Sequence, residues 1–263
     1  MKHLLVVLMF FSHTLMLQAA EFNHTGWDTL LKKYVVSLQN GQATQVDYAG
    51  IAGERVQLKK YLDATSAVSR ASFDSWSKAE QLAFLINAYN AWTVELVLGG
   101  YPGIKSIKDL GSFFSSPWRK AFIPLLGETR TLDNIEHDLI RGSGRYQEPR
   151  IHFAVNCASI GCPALRAEAY VAERLEQQLE QSTRMFLADQ TRNRLQGDTL
   201  LLSKIFKWYG DDFEQGWRGA STLGHFLVRY PQSLKLDQHA VEQLKAGGLD
   251  IEFLDYDWRL NSL

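Results

Sequence analysis

The residues best equipped for chemistry crowd into one run of this 263-residue chain, Ile151-His152-Phe153-Ala154-Val155-Asn156-Cys157-Ala158-Ser159-Ile160-Gly161-Cys162-Pro163, which holds both of its cysteines. Three chemistries compete for two thiols at this spacing. In an oxidising compartment Cys157 and Cys162 form a disulfide that closes a tight loop and removes both nucleophiles. As a thiol, Cys157 is a nucleophile whose thiolate a nearby imidazolium favours, with His152 or His137 as general base and an asparagine or acidic side chain orienting that base. A metal site built from His137, His152 and a cysteine is the third reading, and its spacings match no standard zinc pattern.

The elements around this run must bring these groups together. Arg150 to Asn156 is rich in β-branched and apolar residues and reads as a strand, with His152, Ala154 and Asn156 on one face and Phe153 and Val155 on the other. Cys157 then meets His152 only if the chain turns after Asn156, which the small residues Ala158, Ser159 and Gly161 permit. Asp133 and Glu136 are spaced as a capping box for a short helix carrying Ile135, His137, Leu139 and Ile140. On it His137 shares a face with Ile140 and Arg141. A lone histidine on a helix surface is more often structural than catalytic. Its pairing with His152 gives it interest.

The clearest helix starts at Ser77, with Glu80 completing a capping box, and runs to Leu98, where Gly99-Gly100 and Pro102 stop it. It carries Asn87 and Asn90 within Leu82-Ala83-Phe84-Leu85-Ile86-Asn87-Ala88-Tyr89-Asn90-Ala91-Trp92, a stretch apolar nearly all the way round. An unsatisfied buried amide costs about 1–3 kcal/mol, so both asparagines must find partners. They brace a neighbouring loop as a polar network, or else they touch substrate. With Glu136 they form the candidate binding set.

Elsewhere, helical spacing covers Trp27 to Leu38 and Val171 to Ala188, with a less periodic helix over Gly53 to Leu62. Hairpins are expected at Gly127-Glu128, between Phe122-Leu126 and Thr129-Leu132, and at Gly197-Asp198, between Arg194-Gln196 and Thr199-Ser203. Further helical pieces fall near Lys204-Tyr209, Thr222-Arg229 and Gln238-Lys245, and Ile251-Asp257 reads as a last strand. Helices dominate and strands do not alternate regularly with them. The fold class is therefore α+β, a mostly helical single domain with a small, mainly antiparallel sheet.

The N-terminus has the order of a secretory signal: Met1-Lys2-His3, an apolar stretch from Leu4 to Leu17, then Ala19-Ala20. Residues 1–20 are expected to be removed, leaving 21–263 as one domain in the periplasm or secreted, with no membrane span in the mature chain. With 28 basic and 29 acidic residues in no single-sign block, nothing draws the chain to nucleic acid. Aromatic-basic mixing in Lys204-Ile205-Phe206-Lys207-Trp208-Tyr209 is countered by Asp211 and Asp212, and this segment reads as a helix docking its aromatic face on the core. The expected partner is a small molecule or peptide. No cofactor is expected, and a phosphate loop of standard form and a serine-nucleophile elbow are both missing.

Phe84–Asn90, Ile135–Asp138, Arg150–Ser159, Gly161-Cys162-Pro163, Leu202–Tyr209 and Tyr256-Asp257-Trp258 together resemble the family known only as domain of unknown function 547. The resemblance extends from about Ser77 to the C-terminus. It implies that these segments form one domain and makes His137, His152, Asn156, Cys157, Asn87 and Asn90 the preferred site residues. A Cys-His-Asn trio is also similar to that of papain-like enzymes, but there the cysteine precedes the histidine in the chain. The leading expectation is an exported hydrolase or acyl transferase using Cys157 with a histidine. The alternative is a non-catalytic periplasmic binding or assembly protein with a structural Cys157–Cys162 disulfide, and a metal-dependent enzyme comes third.

Overall fold

The computed structural model describes residues 21–112 and 115–263. The expected signal segment, 1–20, lies outside them. The described chain opens with α1 (Thr25–Tyr34), a hairpin of β1 (Val35–Leu38) and β2 (Ala43–Val46), and the helices α2 (Tyr48–Gly53), α3 (Arg55–Ser66) and α4 (Arg70–Ser75). The helix expected over Trp27–Leu38 therefore stops four residues early. Val35-Val36-Ser37-Leu38 pairs in register with Ala43–Val46, because β-branched residues fit a ladder better than a helix end.

The helix α5 (Lys78–Leu98) is the axis of the molecule, buried on every side from Gln81 to Val94. Its capping box is present: Ser77 Oγ accepts from Glu80 N–H at 3.2 Å, and Glu80 Oε2 accepts from Ser77 N–H at 2.8 Å. The short hairpin β3 (Ile123–Leu125) and β4 (Glu128–Arg130) follows. Its turn is Leu126-Gly127, one residue earlier than expected, and both have positive φ, 55° and 82°, as a type I′ turn demands.

Asn134–Arg141 is a π-helix, a wide coil unusual outside functional regions. Asp133 does not cap it. Thr131 and Asn134 do so reciprocally, each side-chain oxygen accepting from the other's backbone N–H at 2.9 and 3.2 Å.

The strand expected at Arg150–Asn156 is instead a 3₁₀ turn, Pro149–Phe153. Pro149 presets the turn's φ, Glu148 Oε1 accepts the Arg150 N–H at 3.1 Å, and residues 149–156 are buried without alternation. A strand with one solvated face could not satisfy that burial.

After α6 (Leu175–Ala188) come the hairpin β5 (Arg194–Gln196) and β6 (Thr199–Leu202), α7 (Ile205–Trp208), α8 (Gly210–Phe213), α9 (Leu223–Leu227), α10 (Gln238–Ala246) and β7 (Asp250–Phe253). The expected turn at Gly197-Asp198 is present. β7 adds to β6 in parallel, the exception among otherwise antiparallel pairs. The class is α+β and mostly helical.

Two apolar clusters fill the interior, one around α1, α3 and α5, the other built from Phe153, Phe186, Phe206, Phe213 and Phe226. α6 contributes to both, Leu179 to the first and Phe186 to the second. Among the described residues no helix is long and apolar enough to cross a membrane.

The last residues lace these parts together. Tyr48 donates to Asn261 Oδ1 at 2.8 Å, Ile160 N–H to Arg259 O at 2.8 Å, and Gly161 N–H to Asp257 O at 2.8 Å. A Cβ on Gly161 would lie 2.9 Å from the Tyr256 ring and 3.0 Å from the Asp257 backbone, so only glycine permits this approach.

His24 precedes α1 in an aromatic nest with Phe22, Tyr61 and Phe84, its Nδ1 2.8 Å from the Tyr61 hydroxyl. Burial pushes its pKa down to about 4. The unfolded chain protonates at the ordinary histidine value of 6.5 while the native ring stays neutral, so stability falls as pH drops from about 6.5 to 4. His24→Asn should remove about 3 kcal/mol of that acid loss. Urea unfolding at several pH values checks this; parallel curves for both proteins would contradict it.

Candidate functional site

The Cys157 loop, the π-helix, α7 and the C-terminal residues enclose a cleft of about 270 Å³. It is lined by Cys157, Cys162, His137, His152, Glu136 and Asp133, together with the aromatic rings of Tyr89, Trp118, Trp208, Tyr209, Tyr256 and Trp258. Five of the expected site residues, Cys157, Cys162, His152, His137 and Glu136, thus share one cavity.

Cys157 and Cys162 are joined in a disulfide, their Cα atoms 6.2 Å apart. The expectation of Cys157 as a resting thiol does not hold in this state, and the pairing expected by the alternative reading is present. Several groups surround the sulfurs. The Tyr256 hydroxyl lies 3.1 Å from Cys157 Sγ, 3.2 Å from Cys162 Sγ and 3.0 Å from Ser159 Oγ, and Cys157 N–H donates to Cys162 Sγ at 2.9 Å. Burial pushes the Tyr256 phenol well above its ordinary range, so it stays a donor.

Ala158 sits at φ 59°, fully buried, held there by Asn156, whose Oδ1 accepts the Ala158 N–H at 2.8 Å while its Nδ2 donates to Pro163 O at 2.8 Å. Asn156 therefore shapes the disulfide loop from within. It does not line the cleft.

The α5 asparagines act one step further back. Asn90 donates to Ala154 O at 3.0 Å and accepts from Asn156 N–H at 2.8 Å; Asn87 donates to Tyr170 O at 2.7 Å and accepts from Tyr170 N–H at 3.0 Å. Each amide pairs with backbone as a neighbouring strand would. They brace loops, as the polar-network reading expects, and neither is among the residues lining the cleft. Asn90→Leu strips a buried C=O and a buried N–H of their partners and should cost about 2 kcal/mol. Urea denaturation reads this directly, and an unchanged midpoint would contradict it.

His152 is buried among aromatics. Its ring stacks on Tyr209 with centroids 4.0 Å apart, and its Nε2 lies 2.7 Å from Asp212 Oδ2. Burial lowers the His152 pKa despite the carboxylate beside it, so at neutral pH the ring is uncharged and its Nε2–H donates to Asp212. Nδ1 is then the free acceptor. Burial alone would raise the Asp212 carboxyl, but hydrogen bonds from His152 and Arg141 hold it well below the usual carboxylate range.

Arg141 grips the same carboxylate with Nε at 2.5 Å and Nη2 at 3.1 Å, and its Nη1 donates to His137 Nδ1 at 2.8 Å. A guanidinium can only donate. That bond leaves the hydrogen of a neutral His137 ring on Nε2, which lies 3.9 Å from Asp133. Glu136, 6% exposed, faces the hydroxyls of Tyr89 and Tyr209, both pushed upward first by burial and then by this carboxylate.

Sequence reasoning did not find Asp212, Arg141 or the aromatic lining. The residue beside His152 is Asp212, the acidic alternative of that expectation, and not Asn87, Asn90 or Asn156. Trp208 is 43% exposed at the rim, whereas Phe206 and Phe213 carry the core docking expected of that segment. The signal that existed was weak: Trp208, Tyr209, Tyr256 and Trp258 lie inside resembling stretches without a stated role. As for the metal reading, no group of three or more His, Cys, Asp or Glu side chains among the described residues is placed to hold a metal ion.

No curated protein and no solved structure matches this chain. Asp212, Tyr209, Tyr256 and Trp258 all lie beyond the part that matches a known family. Residues 73–187, which carry both cysteines, both cleft histidines and the α5 asparagines, match the model of the family described as "Protein of unknown function, DUF547".

Proposed function

We propose that this chain is an exported, non-catalytic binding protein whose aromatic cleft receives a small molecule or peptide, with the Cys157–Cys162 disulfide fixing one wall. The observation that carries this reading is the bonded sulfur pair set among aromatic rings at the cleft. It ties up both nucleophiles and rigidifies the surface a ligand would meet. Export rests on the N-terminal residue order and suits a disulfide. Protein recovered outside the cytoplasm should begin near Glu21, and an intact Met1 would contradict this.

A second reading, a hydrolase or acyl transferase using Cys157, is favoured by one feature: His152, held on Asp212 at 2.7 Å, lines the same cleft as that cysteine. Once reduced, Cys157 could give its thiol proton to the imidazole and form a thioester with an acyl substrate, the leaving group departing with that proton. One experiment separates the two. Oxidised and dithiothreitol-treated protein are offered a panel of activated acyl esters and peptide amides. The binding reading expects no turnover in either state. Turnover that appears on reduction and is lost in both Cys157→Ser and His152→Ala would replace it with the enzyme reading.

A further inference from the structure

The cleft lining has a consistent chemistry apart from its sulfurs. It includes two carboxylates, Asp133 and Glu136, and no lysine or arginine. Arg141 borders the cleft but is held by Asp212, by His137 at 2.8 Å and over the Tyr209 ring at 4.8 Å, and Arg119 approaches Asp133 at 3.5 Å from a largely exposed position. Facing the carboxylates is a continuous aromatic wall: Trp208 to Tyr256 at 4.9 Å, Tyr256 to Trp258 at 4.4 Å, Trp208 to Trp258 at 5.7 Å and Trp118 to Trp258 at 5.8 Å between centroids. Trp118 and Tyr256 also pack against the two core clusters, while Trp258 belongs to neither and Trp208 stands 43% exposed.

The wall already holds a cation of the chain itself. Lys108, which is not among the lining residues, sets its ammonium 3.5 Å from the centroid of Trp258. An indole face is the best aromatic partner for an ammonium, and tryptophans beside carboxylates supply both quadrupole and counter-charge.

We infer that the cleft recognises an organic ammonium group, held between the Trp118–Trp208–Trp258 wall and the Asp133 and Glu136 carboxylates. This rests on the cleft being a ligand site and names the class of ligand. The group is carried by a free small molecule or by a lysine side chain of a peptide. The cleft, at about 270 Å³, has room for such a head group with part of its carrier. An anionic ligand meets like charge and an aromatic face of the wrong polarity.

Tryptophan fluorescence of the oxidised full mature chain is titrated with choline, with its neutral carbon isostere, with Nα-acetyl-lysine amide and with acetate. At least one ammonium probe should bind about tenfold more tightly than the neutral isostere, since cation–π and ion-pair contributions together reach that scale. Choline responding alone identifies a free small-molecule cation, and the lysine amide responding alone identifies a peptide-borne one. Binding should weaken with salt. Glu136→Gln, which preserves an acceptor for Tyr89 and Tyr209, and the more exposed Asp133→Asn should each weaken it severalfold; Asp133→Asn keeps the test valid if the buried change unfolds the protein. Equal binding of the isostere overturns the ammonium assignment and leaves the cleft as a ligand site. Silence from all four probes into the millimolar range overturns both.

Discussion

Asp212→Ala is expected to destabilise the protein by about 3 kcal/mol, because it leaves two donors, Arg141 and buried His152, without their acceptor. The Asp212 side chain is 17% exposed and that of Arg141 25%, so solvent screens the pair only in part. Asp212→Asn keeps one oxygen and should cost clearly less. The pH dependence has a definite sign. With its folded pKa held below the ordinary 3.8, Asp212 contributes stability that is present above about pH 4 and lost as pH falls further. The gap between wild type and Asp212→Ala in urea unfolding should therefore narrow in acid. A gap that widens in acid would mean that the carboxylate is not ion-paired in the native state.

Arg150→Ala should be at least as damaging, at about 4 kcal/mol. Its guanidinium is 1% exposed and serves three carboxylates, with Nη2 2.6 Å from Glu148 and 2.7 Å from Glu176, and Nη1 3.3 Å from Glu180. One face stacks over Trp217, 4.8 Å from guanidinium carbon to ring centroid. Removing it opens a cavity and leaves three acids facing one another where Glu148, the 3₁₀ turn and α6 meet. Arg150→Lys should recover part of the loss, because a point charge cannot fork to two partners. The Arg150 bonds hold Glu176 down to about 2, so its contribution too is present above its ordinary value near 4.5 and lost below it. Equal stability of Arg150→Ala and wild type at pH 7 would refute this network.

What the sequence disclosed follows from how local each signal is. α5 was legible because Ser77, Glu80 and Gly99-Gly100 are boundary signals read within four residues, and because an all-round apolar helix has one sensible location. The Gly197-Asp198 turn was legible for the same reason. Pro149–Phe153 misled because Ile, Phe and Val between polar residues look the same in a half-buried strand and in a buried turn. Only the packing of α6 against it decides. The Asp133 cap failed since Thr131 and Asn134 offered the backbone a competing reciprocal pair two residues earlier.

In the site, the cysteine run announced itself by composition. The partner of His152 did not: Asp212 follows it by 60 residues and sits beside Asp211, which has the same local appearance and no such role. The aromatic wall assembles only when the C-terminal residues cross the Cys157 loop through Gly161. No local spacing encodes that crossing.

The state of the two cysteines in native protein bears most directly on the proposed function. The protein is isolated from outside the cytoplasm without reductant, alkylated at once, digested and mapped by mass spectrometry. The binding reading predicts one linked peptide pair, Cys157 joined to Cys162, with neither residue alkylated, in material that still binds its ligand. Recovery of Cys157 alkylated and unlinked in that same binding-competent material would contradict it.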